Sequence, residues 1–335
     1  MLARLPTRRL LIGAAIAVAL ALAFAWLYPS PDYLYVPNTA KPVADRVEVA
    51  GERADSGPGA IYYVDVTVRR ATWAERLVAF VRPDGATLVS HNDVVPQGSS
   101  FEERRKEGLA EMARSEEVAA AVALKEAGYP VKANPRGALV EAVASDAPAA
   151  DVLDSGDVIV AARGTSVLTP GALRSSLAAA KPGDTVRLKL RRNGKVVRVS
   201  VRTIESPADP KRAIIGIRVA QAADIQLPIK VDIDLGGVGG PSAGLPFALD
   251  VLQELGQDVD RGRRVAATGE IELDGSVGPI GGVKQKVYGA RRAGVDVFLV
   301  PAGDNAAEAR RYAGKLRIVP VESFQQALSA LRTLQ

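Results

Sequence analysis

Residues 227–255 read LPIKVDIDLGGVGGPSAGLPFALDVLQEL, and the interpretation of the C-terminal part of the chain starts from this stretch. Apolar residues alternate with Lys and Asp as far as Leu235, which predicts a strand with one buried face. A glycine-rich run follows at 236–244 and leads into an apolar helix. Ser242 lies at the start of this helix, near backbone amides and the positive end of the helix dipole. Taken alone, the pattern also fits a helix-capping serine, whereas a phosphate-binding loop would require a lysine that is absent here.

A second block of sequence contains a lysine that could act together with Ser242. VAATGEIEL at 265–273 predicts a strand, and GSVGPIGG at 275–282 leads into the helix VKQKVYGARRAG. At about 100° per residue, Lys286 falls between Ala290 and Ala293, on the inward side of this helix. A lysine placed there either extends its amine to the surface or is held inside for a purpose. In the second case burial disfavours the charged form of the amine and lowers its pKa, as a general base near neutral pH requires.

The blocks GPSAG, TGEI and GxVxPIGGxKxK, in this order, resemble the proteolytic domain of the Lon family over residues 225–335. The resemblance implies a mixed sheet with helices and a serine endopeptidase without a cofactor. Ser242 matches the nucleophile of that family and Lys286 its base, 44 positions further on. Thr268 matches the residue that orients the lysine amine.

The same resemblance assigns a supporting role to the glycine-rich loop. The backbone amides around Gly240, Pro241 and Ser242 would hold the oxyanion of the acyl-transfer reaction. Glu270 is expected to be structural. The chain departs from the family pattern three positions before the serine, where Gly239 replaces an acidic residue.

Residues 125–204 form a second unit, whose order of strands and helices resembles a bacterial PDZ domain. The predicted elements include the strand 137–143, the helix 170–181 and a hairpin around Asn193-Gly194. The resemblance implies a β-rich domain with two helices and a groove between the strand after residue 131 and the helix around Leu173 and Leu177. The loop that binds the carboxylate of a peptide would then consist of Gly128, Tyr129, Pro130 and Val131. This loop differs from the usual Gly-Leu-Gly-Phe, and its proline has no amide hydrogen.

The N-terminal residues predict a membrane anchor. An uncharged apolar run at 10–28 follows Arg4, Arg8 and Arg9, and its length is close to the thickness of a bilayer. The positive-inside rule then leaves residues 1–9 in the cytoplasm and the protease and PDZ domains outside it. A signal peptide cleaved after Ala23-Phe24-Ala25 is the alternative.

The region between the anchor and the PDZ unit is less regular. Proline, glycine and charged residues predict a linker at 29–60. Strands are expected at Ile61–Arg70 and Leu77–Val81, where they would pair, followed by a helix at Phe101–Glu126. We expect residues 61–124 to complete the protease fold, which would make the PDZ domain an insertion.

Composition excludes several classes of function. The 335 residues contain no cysteine and one histidine, His91, so Cys nucleophiles, thiolate metal sites and sites with paired histidines are ruled out. His91 is expected in a turn or at the surface. The net charge of +5 and the aromatic content of 5% give no support for nucleic-acid binding.

Together these features predict an α+β protein that resembles the membrane-anchored PDZ–Lon-type serine proteases of bacteria. No Walker A motif is present, so cleavage would be independent of ATP and directed at unfolded or flexible protein substrates. The resemblance also suggests a homo-oligomeric ring, and neither a metal nor a nucleic-acid partner is expected. A scaffold or adaptor without catalytic activity, with a PDZ domain on a protease-like domain, is the alternative.

Overall fold

The computed structural model describes residues 7–50, 58–95, 100–144, 146–206 and 209–334. Helices and strands are mixed along the chain. The strands of the middle region form an antiparallel sheet, and those of the C-terminal region form a mostly parallel one. The N-terminal region contains the following elements: α1 (Thr7–Leu27), β1 (Pro29–Pro37), β2 (Lys41–Pro42), β3 (Val47–Val49), β4 (Ala60–Tyr63), β5 (Val66–Thr72), α2 (Trp73–Leu77), β6 (Thr87–Val89), α3 (His91–Val94) and α4 (Phe101–Glu126).

The predicted linker contains strands. β1 lies between β5 and β6 in a three-stranded antiparallel sheet, and Tyr33 and Leu34 of β1 are buried. The linker interpretation of 29–60 is therefore wrong for the residues that are described, while its part at 51–57 lies outside them. The proline and glycine content obscured short strands whose partners lie far along the sequence.

The strand predicted at Ile61–Arg70 is divided in two, and the one predicted at Leu77–Val81 is not a strand. Residues 79–81 form a 3₁₀ turn after α2. The cause is a capping box, in which Thr72 accepts a hydrogen bond from the Glu75 amide and the Glu75 carboxylate accepts one from the Thr72 amide. This local signal starts a helix where apolar content alone suggested a strand.

Helix α4 has the predicted bounds, with a capping box between Ser100 and Glu103 at its start. Its second half, from Glu111 to Leu124, is largely buried, and it packs on the C-terminal domain at α6 (Gly244–Glu254). His91 begins the short helix α3 and stacks on Tyr33, with 5.9 Å between the ring centroids.

The middle region forms an antiparallel sheet of order β11-β10-β8-β7-β14, with β9 paired to β8 and a separate hairpin of β12 and β13. Asn193 and Gly194 both have positive φ in the β10–β11 hairpin, as the sequence indicates. β14 extends this sheet beyond residue 204, where the PDZ unit was expected to end. The elements are β7 (Lys132–Val143), β8 (Val158–Ala162), β9 (Thr165–Ser166), α5 (Pro170–Ala178), β10 (Thr185–Arg192), β11 (Lys195–Arg202), β12 (Ile204–Ser206), β13 (Asp209–Ile214) and β14 (Ile217–Gln226).

The C-terminal region is a sheet covered by helices on both faces. Val265 and Ala267 pack into a core with α6 and α9, whereas Ala266 between them packs against α7 and α8. Burial of both faces is typical of parallel strands. The elements are β15 (Val231–Ile233), α6, β16 (Arg264–Ala267), β17 (Glu270–Ile271), β18 (Val277–Gly278), α7 (Val283–Ala293), β19 (Val297–Pro301), α8 (Asp304–Tyr312), β20 (Arg317–Val321) and α9 (Phe324–Thr333).

Strands from the N-terminal region join this C-terminal domain. The sheet order is β2-β4-β16-β19-β20, and β4 runs parallel to β16. β3 pairs with β15 just before the glycine-rich loop. The C-terminal sheet is therefore built from two parts of the chain, with the middle region between them in sequence.

Helix α1 covers most of the segment predicted as an anchor, and large apolar side chains such as Leu20 and Trp26 are exposed on it. Among the described residues, however, no helix has both the length and the apolar character needed to cross a membrane. The transmembrane helix predicted at 10–28 is therefore not supported.

The contact between α7 and the N-terminal region can be tested at Gly289. A Cβ atom at this position would lie 2.1 Å from the carbonyl oxygen of Asn38 and 2.7 Å from Cγ1 of Val64. Gly289→Ala should therefore lower the free energy of unfolding by about 1–3 kcal/mol, the usual cost of overpacking. Gly281→Ala, with open space around its Cβ, is the control. Equal urea midpoints for the two variants would contradict the close packing.

Candidate active site

Ser242 lies in a 3₁₀ turn, Pro241–Ala243, between the glycine-rich loop and α6. Gly240 at the start of this turn has φ of +93°, a conformation that favours glycine. The turn leaves Ser242 partly exposed while the residues after it are buried. The serine hydroxyl is thus held at the N-terminus of a buried helix, where it remains accessible.

Lys286 points at this serine from α7. Its side chain is buried, with 3% of the residue exposed, and Nζ lies 2.6 Å from Oγ of Ser242 and 2.9 Å from Oγ1 of Thr268. The structure thus brings together the three side chains that the sequence singles out for the reaction, across 44 positions of the chain.

Thr268 determines how the amine is oriented. The strand predicted over 265–273 is interrupted at this residue, and the Thr268 hydroxyl donates a hydrogen bond to the carbonyl oxygen of Ser242 at 3.0 Å. Because its only proton is used there, Oγ1 can only accept from Lys286. A neutral amine that donates to Thr268 can direct its lone pair at the hydroxyl of Ser242.

Burial makes this neutral form accessible. Desolvation lowers the pKa of Lys286 to about 7, and the negative charge of Asp65 acts in the opposite direction. An amine with such a pKa is largely neutral just above pH 7 and can accept a proton there. The pair Ser242 and Lys286 therefore has the geometry that proton transfer requires, with an amine whose pKa lies close to neutral pH.

Helix α4 braces the loop that carries the serine. The Gly240 amide donates to the carbonyl of Gly108 at 2.8 Å, and the Ser115 hydroxyl donates to the carbonyl of Pro241 at 3.0 Å. Three residues are predicted to hold the oxyanion. The Gly240 amide is engaged and Pro241 has no amide hydrogen, so the Ser242 amide is the one left to donate. A Cβ at Gly239 would lie 2.9 Å from the Gly108 carbonyl carbon, so α4 occupies the place of an acidic side chain there. Sequence reasoning missed Gly108 and Ser115, because their contacts depend on long-range packing.

The predicted carboxylate-binding loop lies directly before β7, which is paired along one side and only partly paired along the other. Gly128, Tyr129, Pro130 and Val131 precede β7, and β14 pairs with β7 along its whole length while β8 covers part of the other side. Leu173 and Leu177, around which the peptide groove is predicted, are both buried in the core of this domain.

β14 is one of the two edge strands of this sheet, and β11 is the other. Strand β14 follows Ile215 and Gly216, and Gly216 has φ of +73°. Gln221 of β14 donates to the carbonyl of Leu168, just before α5, and its Oε1 is buried without a hydrogen-bond partner among the described residues. The sequence signal for β14 is the isoleucine-rich run 214–217, in which Gly216 allows a turn directly before the strand.

A cavity of about 440 Å³ lies where the middle region meets the C-terminal domain. It is lined from the N-terminal half of β7, from the start of α5 and from the loop after β17. The lining residues include Val131, Ala133, Leu168, Ala172 and Leu273. The cavity therefore lies between the PDZ-like unit and the segment 264–274, which contains Thr268.

Helix α5 is joined to the loop after β17 by an ion pair and hydrogen bonds. Glu272 is fully buried and accepts hydrogen bonds from the Gly171 amide at 2.7 Å and from Arg174. The Thr169 hydroxyl also donates to Asp274 at 3.2 Å. Nearby Glu270 is partly buried, and desolvation raises its pKa to about 7. In the described part of the chain, no cluster of His, Asp and Glu side chains could hold a metal ion.

Comparison with known families agrees with both units. Residues 192–333 match the Lon protease C-terminal proteolytic domain, and residues 98–203 match the PDZ domain. The chain therefore carries a Lon-type proteolytic domain together with a PDZ domain, in a fold of mixed helices and strands.

Curated relatives are Lon proteases. The chain is 39% identical to Lon protease 1 of Sorangium cellulosum over 105 residues, 28% of this chain and 13% of that protein. It is 36% identical to Lon protease of Roseiflexus castenholzii over 146 residues, 43% of this chain and 16% of that protein. The chain thus spans a small part of these relatives, and the shared part supports a serine peptidase.

Solved structures similar to the chain include the PDZ domain of an SdrC-like protein from Listeria monocytogenes. That domain is 27% identical, the match covers 25% of this chain and 86% of the domain, and the TM-score is 0.23.

The link between α5 and Glu272 can be tested by substitution. Glu272→Gln removes the charge that Arg174 and the Gly171 amide face, and should lower the free energy of unfolding by about 1–3 kcal/mol. Urea unfolding of the full chain measures this effect. Glu322→Gln, at an exposed position, is the control and should leave the midpoint unchanged. If Glu272→Gln also unfolds at the wild-type midpoint, the contact does not stabilise the protein.

Proposed function

We propose that this protein is a serine endopeptidase in which Ser242 is the nucleophile and Lys286 the general base. The observation that carries the proposal is the 2.6 Å distance between Nζ of Lys286 and Oγ of Ser242, for an amine whose pKa burial lowers to about 7. The match to the Lon proteolytic domain supports the same chemistry.

The reaction starts with the neutral amine. Lys286 donates to Thr268 and receives the proton of Ser242 as Oγ attacks the carbonyl carbon of a peptide. The resulting ammonium gives this proton to the leaving amine, which departs with the C-terminal part of the substrate. Water then attacks the acyl-enzyme, again with Lys286 as base, and releases the N-terminal part and the free serine.

The oxyanion formed in each half of the reaction needs hydrogen-bond donors. The Ser242 amide belongs to the turn that presents the nucleophile. The Gly240 amide can contribute only when it leaves the carbonyl of Gly108, so the contact with α4 controls whether a second donor is available.

Substrates of this enzyme are proteins or peptides that are already unfolded, or flexible tails. The chain contains no Walker A motif, and we propose that cleavage proceeds without ATP. The β14 edge offers an extended tail a place to add as a strand. Helix α5 of the same unit contacts Glu272. A tail bound at β14 would therefore lie on the unit that contacts the segment after Thr268.

A scaffold without turnover is the second candidate function. The observation in its favour is the engagement of the Gly240 amide by Gly108, together with Gly239 in place of an acidic residue. A scaffold would keep its cellular role after loss of Ser242, whereas a peptidase would not.

The location and the assembly of the protein remain predictions. We infer attachment to the cell membrane through residues 10–28, with the protease and PDZ domains outside the cytoplasm, from the exposed apolar side chains of α1. Recovery of the full chain in the soluble fraction of lysed cells would contradict this location. A homo-oligomeric ring rests on the family resemblance alone.

The serine assignment is tested by Ser242→Ala in the full chain. This variant should lose at least about 10³-fold in cleavage of an unfolded protein, because the nucleophile is gone. The rate of release of labelled peptides measures the loss, and circular dichroism verifies the fold. Ser329→Ala, at an exposed position on α9, should cleave at the wild-type rate. Equal cleavage by wild type and Ser242→Ala would reject the assignment.

A further inference from the structure

Asp65 lies in the link between β4 and β5, at the helix face that carries Lys286. The neighbours of Asp65 show how close this approach is. A Cβ on Gly289 would lie 2.7 Å from Cγ1 of Val64, and a Cβ on Gly282 would lie 3.1 Å from Cγ2 of Val66. Residues four before and three after a helical position share its face, so these two glycines flank Lys286 on one side of α7. The link that contains Asp65 therefore crosses this side.

The Asp65 side chain is 13% exposed, and only one of its two carboxylate oxygens has hydrogen-bond partners among the described residues. Its Oδ2 accepts a hydrogen bond from Nδ2 of Asn38 at 2.9 Å, and Nζ of Lys41 lies 3.9 Å away. Its Oδ1 is buried and has no hydrogen-bond partner among the described residues. A buried carboxylate oxygen without a donor costs free energy, so its presence needs a reason beyond packing.

The charges around the site indicate that reason. Ser242 and Thr268, which contact the Lys286 amine, are uncharged. Lys284 on the same helix is directed to the carbonyl of Ala86 and the Tyr312 ring, and Lys41 faces Asp65 from β2. Asp65 is thus the carboxylate whose field reaches Lys286, where it favours the charged amine against the effect of burial.

We propose that Asp65 is a positioning residue for the base, and that its carboxylate stabilises the ammonium formed when Lys286 takes the proton of Ser242. The proton moves from Oγ of Ser242 to Nζ of Lys286. This chain has Gly239 where the related proteases have an acidic residue three positions before the serine. The Asp65 carboxylate, from the N-terminal region, supplies a negative charge near the base instead. The inference rests on the proposed function of Ser242 and Lys286.

Titration of the amine itself tests this role without requiring turnover. Carbon-13-labelled lysine in the full chain allows the Lys286 resonance to be followed against pH by NMR. In Asp65→Asn, which keeps the acceptor for Asn38, the titration midpoint should fall by at least about half a pH unit, because a favourable charge is lost. Asp65→Glu should restore the midpoint, and Asp304→Asn, at an exposed carboxylate, should leave it unchanged.

A midpoint that is the same in wild type and Asp65→Asn would overturn the proposal, whatever the activity. If Asp65→Asn does not fold, Asp65→Ser gives the same comparison with a smaller polar side chain. Failure of the proposed function is separate: it would appear as no cleavage by wild type, while the titration would still decide the role of Asp65.

Activity provides a second readout. Peptide cleavage by Asp65→Asn should fall several-fold on its high-pH plateau, and the acid limb of the pH profile should move to lower pH. The shift follows because the amine loses its proton more easily without the carboxylate. A purely structural role would lower the plateau and leave the acid limb in place, and that result would also overturn the proposal.

Discussion

The structure depends on the burial of one amine beside one hydroxyl. A lysine in water is charged at neutral pH and cannot accept a proton, so Lys286 can act as a base only where water is excluded. Burying it costs free energy, which the packing of α7 must offset. Gly282 and Gly289 let the backbone of this helix approach the N-terminal strands, and Thr268 gives the amine its hydrogen-bond acceptor.

The same burial explains why two distant parts of the chain build one domain. β4 lies beside β16, and the residues after β4 cover the face of α7 that carries the lysine. The middle region interrupts this domain in sequence but remains in contact with it. Helix α4 holds the loop before Ser242, and α5 is fixed to Glu272 four residues after Thr268. The loop before Ser242 is therefore held from α4, and the segment after Thr268 is held from α5.

Local patterns in the sequence predicted local structure well. Helix α4, the β10–β11 hairpin and the inward side of α7 follow from capping, turn residues and helical period, and these signals need no distant partner. The residues Ser242, Lys286 and Thr268 are singled out by motifs that are specific in order and spacing. Their proximity in the structure agrees with that reading.

Features that depend on long-range pairing could not be predicted in this way. The loop from Gly128 to Val131 is assigned from the resemblance to bacterial PDZ domains, and local patterns give no sign that β14, some ninety residues later, pairs with the strand after it. The strand character of β1 could not be predicted because its partners β5 and β6 are distant, and the sequence gives no sign that the link containing Asp65 crosses α7. Such contacts emerge only when the chain is folded.

The central claim is that a neutral Lys286 activates Ser242. The most direct measurement is the rate at which a fluorophosphonate modifies Ser242, followed by mass spectrometry across the neutral pH range. The account predicts that the rate in wild type rises with a midpoint near pH 7, as the amine loses its proton, and that Lys286→Met is not modified. Modification of both proteins at the same, pH-independent rate would contradict it.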